Sequence, residues 1–217
     1  MLAVSDLSVS IGATAILHGV SFDVPTGSVC GLIGRNGAGK TTLMRSLMGI
    51  LPARGGGMRF DDADLAAAPA QQRVALGIGY MPEDRRLIPE FTAQENVMLP
   101  VWAAGLREAE ARLAWIYKLM PEVQAFRDRR ATQLSGGQQK LTALARALMG
   151  GRRLLLLDEP FEGVAPVLAR RLAEVLADLK REGLSLLIAD SSAVHLEGLL
   201  DRSLVIERGH VQAGAAA

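Results

Sequence analysis

A glycine-rich loop is the sequence feature that most constrains how this chain can fold. Residues 34–42 read Gly-Arg-Asn-Gly-Ala-Gly-Lys-Thr-Thr, which matches the G-x-x-x-x-G-K-[ST] pattern of loops that wrap nucleotide phosphates. The apolar residues 28–33 are typical of a buried strand, and residues 42–48 predict a helix that ends at Gly49. A strand, a glycine loop and a helix in this order turn backbone N–H groups toward one anion. The sequence therefore predicts nucleotide binding here.

Each residue type in the loop has a chemical reason to be there. Gly34, Gly37 and Gly39 allow positive φ and let the backbone approach phosphate oxygens without a Cβ in the way. Lys40 is a mobile charge for the β- and γ-phosphates, and Thr41 offers a hydroxyl to Mg²⁺. A glycine-rich turn that binds nothing is the alternative, which the flanking strand and helix disfavour. The predicted nucleotide-binding residues of the loop are Gly34, Arg35, Asn36, Gly37, Ala38, Gly39, Lys40, Thr41 and Thr42.

Length and composition favour one α/β domain, which we place at residues 1–217. Apolar residues make up 49% of the chain and aromatic residues only 4%, so the core must consist of aliphatic side chains, as in sheets covered by helices. The 24 basic and 23 acidic residues give a formal charge of +1, which argues against a nucleic-acid partner.

The single cysteine and the lack of long apolar runs indicate where the protein works. Cys30 falls in the predicted strand before the loop, so we expect a small buried residue in a reducing compartment. No signal-peptide pattern opens the chain, and no apolar run reaches about eighteen residues. We expect a cytoplasmic protein that does not itself cross a membrane, and the tail at 214–217 shows no recognisable further domain.

Hydrophobic periodicity predicts two kinds of strand around the loop. Apolar and polar residues alternate over 7–11 and 21–24, which indicates half-buried antiparallel strands near the N-terminus. Residues 58–60 predict another short strand, and residues 204–212 predict a hairpin around an Arg-Gly turn. The apolar run 184–188 is typical of a fully buried strand in a parallel sheet.

The region from about residue 84 to residue 150 reads as a helical lobe. Residues 107–120 predict a helix with one apolar face, and Pro121 follows it. The charge run at 127–130 has the default interpretation of a solvated surface. The predicted fold class is thus α/β: a P-loop NTPase core with a mainly parallel sheet, an N-terminal antiparallel β subdomain and an inserted α-helical lobe.

Two carboxylates follow a second apolar strand. Asp158 and Glu159 come directly after residues 154–157, and open α/β sheets bind ligands at the carboxyl ends of their strands. We assign Asp158 to Mg²⁺. Adjacent side chains of extended chain face opposite ways, so Glu159 can orient and deprotonate the water that attacks the γ-phosphate. The alternative is that both acids only cap the next element, a helix that Pro166 begins.

Residues 134–138, Leu-Ser-Gly-Gly-Gln, suggest a second anion site. Ser135 and Gln138 form a capping-box pattern ahead of an apolar helical stripe. Two glycines in a first helical turn cost about 1 kcal/mol each in propensity relative to alanine. Gly136 and Gly137 therefore make sense where a ligand must touch the backbone at the positive end of the helix.

With these three motifs in this order, the chain resembles the ATP-binding subunits of ABC transporters along nearly its whole length. Within that family, residues 81–86 and 158–166 look like those of the LivF-type subunit of branched-chain amino-acid importers. The resemblance implies an ATPase that uses ATP and Mg²⁺, with Lys40 and Glu159 as its catalytic residues. It also implies import of branched-chain or related amino acids by a subunit that is peripheral on the inner face of the cell membrane.

The same resemblance implies particular partners. A second ATP-binding subunit, identical or different, would form a head-to-tail dimer with ATP sandwiched between the two. Residues Ser135, Gly136, Gly137 and Gln138 would then contact the nucleotide of the partner. Transmembrane permease subunits would dock on residues 83–87 and the helical lobe, and an extracytoplasmic solute-binding protein would act indirectly. Arg85 and Arg86 either serve at the permease contact or form a solvated basic pair.

Three positions depart from the family pattern. Ile11 stands where an aromatic residue usually stacks on adenine, and Glu83 stands where a glutamine usually reaches Mg²⁺ and the attacking water. Asp190 stands at the switch position of a usual histidine, where an ionised carboxylate would repel the γ-phosphate. Glu83 is common in LivF-type subunits. We do not transfer the switch role to His195, since a lone histidine at a helix start is more often structural.

Two other functions stay open at this point. Ile11 and Asp190 motivate a regulatory half of a heterodimeric transporter that holds ATP but hydrolyses it weakly. A soluble ABC protein that acts on DNA or ribosomes usually carries paired ATP domains or a long coiled-coil insertion, and this short, nearly neutral chain disfavours that reading.

Overall fold

The computed structural model describes residues 1–214, and the alanine tail at 215–217 lies outside the described residues. Those 214 residues form two β-sheets and seven α-helices. The strands are β1 (Leu2–Ile11), β2 (Thr14–Val24), β3 (Val29–Ile33), β4 (Gly55–Phe60), β5 (Ala63–Asp64), β6 (Ile78–Met81), β7 (Leu154–Asp158), β8 (Ser185–Asp190), β9 (Arg202–Glu207) and β10 (His210–Ala213). The helices are α1 (Lys40–Leu47), α2 (Ala70–Ala75), α3 (Ala93–Ala104), α4 (Ala109–Leu119), α5 (Pro121–Ala125), α6 (Gly136–Gly150) and α7 (Pro166–Arg181).

The larger sheet has the strand order β10-β9-β3-β8-β7-β6, with every neighbouring pair parallel except the β9–β10 hairpin. Both faces are covered, because side chains that alternate along one strand enter different hydrophobic cores. Leu154 and Leu156 of β7 pack into one core, and Leu155 and Leu157 pack into the other. A strand buried on both faces reads as a continuous apolar run. The mainly parallel sheet predicted from the sequence is confirmed.

The smaller sheet is antiparallel, with the order β2-β1-β4-β5. Leu7 and Val9 of β1 are buried in the core that this sheet shares with α1, whereas Ile11 at the end of the strand is 51% exposed. Alternation of buried and exposed positions fits a sheet with one covered face. The predicted N-terminal antiparallel strands and the terminal hairpin are confirmed.

Helices α3 to α6 follow β6 and pack into the core on the face of the larger sheet opposite to α1. Helix α4 matches the helix expected at 107–120, and the charge run at 127–130 is exposed as expected. Helix α3 was not predicted from the sequence. Its capping box, in which Thr92 Oγ1 accepts from the Glu95 backbone N–H at 3.1 Å, is a signal that was present in the sequence.

Helix α7 begins at Pro166 and buries one stripe, as predicted. The buried side chains of that stripe include Leu172, Val175, Leu176 and Leu179. Across residues 1–214, no helix is both long enough and apolar enough to cross a lipid bilayer.

Gly79 allows α6 to lie directly against β6, which gives a stability prediction. A Cβ at this position would overlap the Ala147 carbonyl oxygen and would lie 2.7 Å from the Cα of Gly151. We expect Gly79→Ala to lower the free energy of unfolding by more than about 2 kcal/mol, since backbone atoms would have to move. Gly55→Ala is the control, because the space around Gly55 is open, and its effect should stay within about 0.5 kcal/mol. Equal urea midpoints for the two variants would contradict the prediction.

Candidate functional site

The glycine loop joins β3 to α1 and is shaped by two different constraints. Gly37 and Gly39 have φ angles of 81° and 112°, which side chains disfavour. Gly34 does not have a positive φ, so it does not use this conformational freedom. Gly34 is needed for another reason, because a Cβ there would overlap the carbonyl oxygen of Ile206 in β9. The loop is therefore fitted closely against the sheet.

Helix α1 begins at Lys40, two residues earlier than expected, and Gly39 at its N-cap offers no side chain to its free N–H groups. These groups need an external acceptor or water. They border a cavity of about 420 Å³ lined by the residues Ile16, Asn36, Gly37, Gly39, Lys40, Thr41, Thr42, Glu83 and Glu159. The structure thus brings Lys40, Thr41, Glu83 and Glu159 together at one helix N-terminus, where an anion is favoured.

Lys40 and Glu159 form a buried ion pair in this cavity. Lys40 Nζ lies 2.9 Å from Glu159 Oε1 and donates to the carbonyl oxygens of Gly34 at 2.6 Å and Arg35 at 3.1 Å. Glu159 Oε1 therefore has a charge partner, but within residues 1–214 it has no hydrogen bond of favourable geometry. Glu159 Oε2 accepts from the Ser191 backbone N–H at 3.1 Å.

Asp158 and Glu159 direct their carboxylates to different partners, as predicted, but for another reason. Glu159 has a φ of 49°, so it adopts a left-handed conformation rather than the extended chain that the prediction assumed. Asp158 is fully buried at the end of β7 and accepts from Thr41 Oγ1 and from Tyr80 Oη, each at 3.3 Å. Burial raises the pKa of Asp158 to about 6, and the negative charge of Glu83 adds to the increase.

The oxygen atoms of Thr41 and Asp158 suit Mg²⁺. Mg²⁺ is usually held by one or two carboxylates together with substrate phosphates and water. Among the described residues, no group of three His, Cys, Asp or Glu side chains is arranged to hold a metal ion. The Thr41 hydroxyl and the Asp158 carboxylate, with Glu83 on the same cavity, therefore fit an ion that a nucleotide brings with it, and they do not form a complete protein cage.

The helix start at Ser135 has the predicted capping box. The Gln138 backbone N–H donates to Ser135 Oγ at 3.3 Å, and the Ser135 backbone N–H donates to Gln138 Oε1 at 3.0 Å. Ser135 and Gly136 are exposed and, with Gly137, line a second cavity of about 890 Å³. The lining of that cavity shares only Glu83 with the cavity that contains Lys40. Within one chain, the helix start therefore faces outward and not toward the chain's own glycine loop.

The other two unusual positions, Ile11 and Asp190, have different surroundings. The cavity beside the loop includes Ile16 in its lining, whereas Ile11 lies on an exposed end of β1. Asp190 ends β8, is 5% exposed, and its backbone oxygen accepts from the Gly34 N–H at 3.2 Å.

The Asp190 carboxyl group is only half satisfied. Asp190 Oδ1 accepts from the Ser192 backbone N–H at 3.0 Å, while Oδ2 has no hydrogen-bond partner within residues 1–214. Burial raises the pKa of Asp190, and the nearby charge of Glu159 raises it as well. His195 packs against Phe161 with ring centroids 5.0 Å apart and the ring planes 30° apart.

Sequence reasoning missed three residues that support the site. Tyr80 binds Asp158, the Ser191 N–H binds Glu159, and Lys140 Nζ donates to the carbonyl oxygens of Glu159 and Glu162. Each of these contacts joins segments that are far apart in sequence, so no local sequence pattern predicts them.

Comparison with known proteins agrees with this geometry. The family model described as ABC transporter matches residues 17–162. The high-affinity branched-chain amino acid transport ATP-binding protein BraG of Pseudomonas aeruginosa is 33% identical over 211 residues, which cover 97% of this chain and 91% of the relative. The lipopolysaccharide export system ATP-binding protein LptB of Escherichia coli is 31% identical over 212 residues, which cover 97% of this chain and 88% of the relative.

Solved structures give the same answer for the fold. The ADP conformation of MJ1267, an ATP-binding cassette of an ABC transporter, aligns with a TM-score of 0.85 at 28% identity and covers 100% of this chain and 91% of that one. The ADP- and phosphate-bound dimer of the cassette MJ0796 aligns with a TM-score of 0.87 at 21% identity, which supports the fold alone. The chain belongs to the ABC transporter family, and it is an ATP-binding subunit that hydrolyses ATP to power transport.

Proposed function

We propose that this subunit powers the import of branched-chain or related amino acids. The observation that carries the ATPase part of the proposal is the buried pair of Lys40 and Glu159 at the N-terminus of α1. The solute class rests on the similarity to BraG along 97% of the chain, together with the LivF-like residues at 81–86. LptB, whose name refers to lipopolysaccharide export, is nearly as similar, so the solute needs its own test.

In the proposed mechanism, the phosphates of ATP replace Glu159 as the partner of Lys40. The triphosphate accepts from the free N–H groups of α1 and from Lys40 Nζ. Glu159 then loses its ion pair, stays held by the Ser191 N–H and acts as base toward the attacking water. Thr41, Asp158 and Glu83 would hold Mg²⁺, which neutralises phosphate charge and acts as a Lewis acid.

We further propose that the site is completed by a second ATP-binding subunit, identical or different. Ser135, Gly136, Gly137 and Gln138 would contact the nucleotide bound to that subunit, because the helix start faces outward from its own chain. The partners would include transmembrane permeases, and an extracytoplasmic solute-binding protein would act through them. The subunit would be peripheral on the inner face of the cell membrane, with residues 83–87 and the helical lobe at about 84–150 of this single domain toward the permease.

A regulatory, weakly hydrolytic half is the second candidate function. It is favoured by Asp190, a buried carboxyl group with an unpartnered oxygen beside Glu159. A negative charge here opposes the binding of a phosphate. In a reconstituted transporter, a regulatory half would tolerate Glu159→Gln in this subunit alone.

Glu159→Gln tests the role of the proposed base. We expect the variant to bind ATP and to form a stable ATP-dependent dimer, while hydrolysis falls by about 10²–10⁴-fold. Size-exclusion chromatography with ATP and a phosphate-release assay would measure both effects. Glu174→Gln, an exposed acid on α7, should keep the wild-type rate. A wild-type rate in Glu159→Gln would contradict the assignment.

Asp190→Asn tests the effect of the charge at the switch position. The amide keeps the shape of the side chain, removes the negative charge and adds a donor, so we expect hydrolysis to rise about fivefold or more. Rates at saturating ATP would be compared with those of Asp178→Asn, which removes an acid from α7. A rate that falls or does not change would mean that Asp190 does not oppose the reaction.

Reconstitution with candidate permease subunits and a candidate solute-binding protein tests the solute. We expect leucine, isoleucine or valine to stimulate ATP hydrolysis in proteoliposomes and to accumulate inside them. Urea, short amides and lipopolysaccharide are the comparison solutes. Stimulation by lipopolysaccharide and not by amino acids would overturn the proposed solute class and leave the ATPase assignment intact.

A further inference from the structure

Lys140 is a buried lysine that phosphate binding does not explain. It lies in α6, five residues after Ser135, and it is only 5% exposed. Burial lowers the pKa of its ammonium group, and the positive charge of Arg85 lowers it further. A buried ammonium is costly to desolvate, so it is expected to have well-placed partners.

Those partners are backbone carbonyls of the turn that carries Glu159. Lys140 Nζ donates to the Glu159 oxygen at 2.8 Å and to the Glu162 oxygen at 2.7 Å. The same Glu159 oxygen accepts from the Glu162 backbone N–H at 3.3 Å. One ammonium group therefore binds both ends of the turn and ties it to α6.

This turn needs an external support. Glu159 has a φ of 49° and Gly163 has a φ of 66°, so the turn starts and ends in the left-handed region. A non-glycine residue there costs on the order of 1–3 kcal/mol and persists only where its surroundings hold it. Lys40 and Ser191 hold the Glu159 side chain, whereas Lys140 holds its backbone.

A comparison with Lys180 shows what is unusual about Lys140. Lys180 also ties a helix to a loop, since its Nζ donates to the Leu199 carbonyl oxygen, but it adds an ion pair to Asp201 at 2.7 Å. In the described part of the chain, Lys140 Nζ has hydrogen bonds to carbonyl oxygens alone. Its charge is thus used to fix a backbone and not to pair with a neighbouring acid.

We propose that Lys140 is a positioning residue that couples the helix start at Ser135 to the carboxylate of Glu159. Ser135 is the N-cap of α6, and Lys140 is the fifth residue of that helix. A displacement of the helix start therefore moves Lys140 Nζ with it. Nζ in turn moves the backbone of Glu159. Contact between Ser135 and a second subunit would therefore set the position of the base. The inference rests on the proposed role of Glu159.

Lys140→Met, Lys140→Gln, Lys140→Arg and Lys180→Met, each in the full-length chain, test this role. We expect Lys140→Met to lower kcat by about tenfold or more, because a small displacement of a base has a large effect, with KM changed by less than about twofold. Its ATP-bound dimer should form and persist longer than that of the wild type. Lys140→Arg should recover part of the lost rate, and Lys180→Met should keep the wild-type kcat.

Other results would overturn the inference. A wild-type kcat in Lys140→Met and Lys140→Gln would mean that the turn keeps its conformation without Lys140. Loss of ATP-dependent dimers and of folding stability in both variants, measured by urea unfolding, would mean a general structural role. A wild-type rate in Glu159→Gln, measured in parallel, would instead contradict the proposed base on which the inference rests.

Discussion

The buried ion pair between Lys40 and Glu159 is the interaction on which the rest of the site depends. Both residues are nearly inaccessible, and removal of one partner would leave an uncompensated charge in the interior. The pair joins the end of β3, through the loop, to the end of β7. In the proposed mechanism, a triphosphate that binds Lys40 also releases Glu159. Substrate binding and activation of the proposed base would then be coupled by one contact of 2.9 Å.

The sheet explains why these two residues meet. β8 lies between β3 and β7 in the larger sheet, and all three are parallel, so their carboxyl ends share one edge. The loop after β3, the acids after β7 and Asp190 at the end of β8 are thus placed side by side by strand order alone. Aliphatic side chains on both faces bury almost all of these strands, so the edge is backed by a closely packed interior.

Much of this arrangement could be predicted from the sequence, because the signals were local. The glycine loop, the strand before Asp158 and the capping box at Ser135 are each contained in a few adjacent residues. The positive φ of Glu159 could not be predicted, since it results from contacts with Lys40, Lys140 and the turn that follows. The hydrogen bond from Tyr80 to Asp158 was also hidden, because it depends on the register between β6 and β7.

The charges at this edge support the proposal that a second subunit completes the site. Asp158, Glu159 and Asp190 are buried acids, and Lys40 and Lys140 are the buried ammonium groups near them. Lys140 is directed at carbonyl oxygens, so Lys40 is left as the ammonium that can contact a phosphate from inside the cavity. A triphosphate adds further negative charge and needs compensation that this cavity does not supply. A divalent cation at Thr41 and Asp158 would supply part of this positive charge. The N-terminus of α6 from a second subunit, which is the positive end of the helix dipole, would supply more.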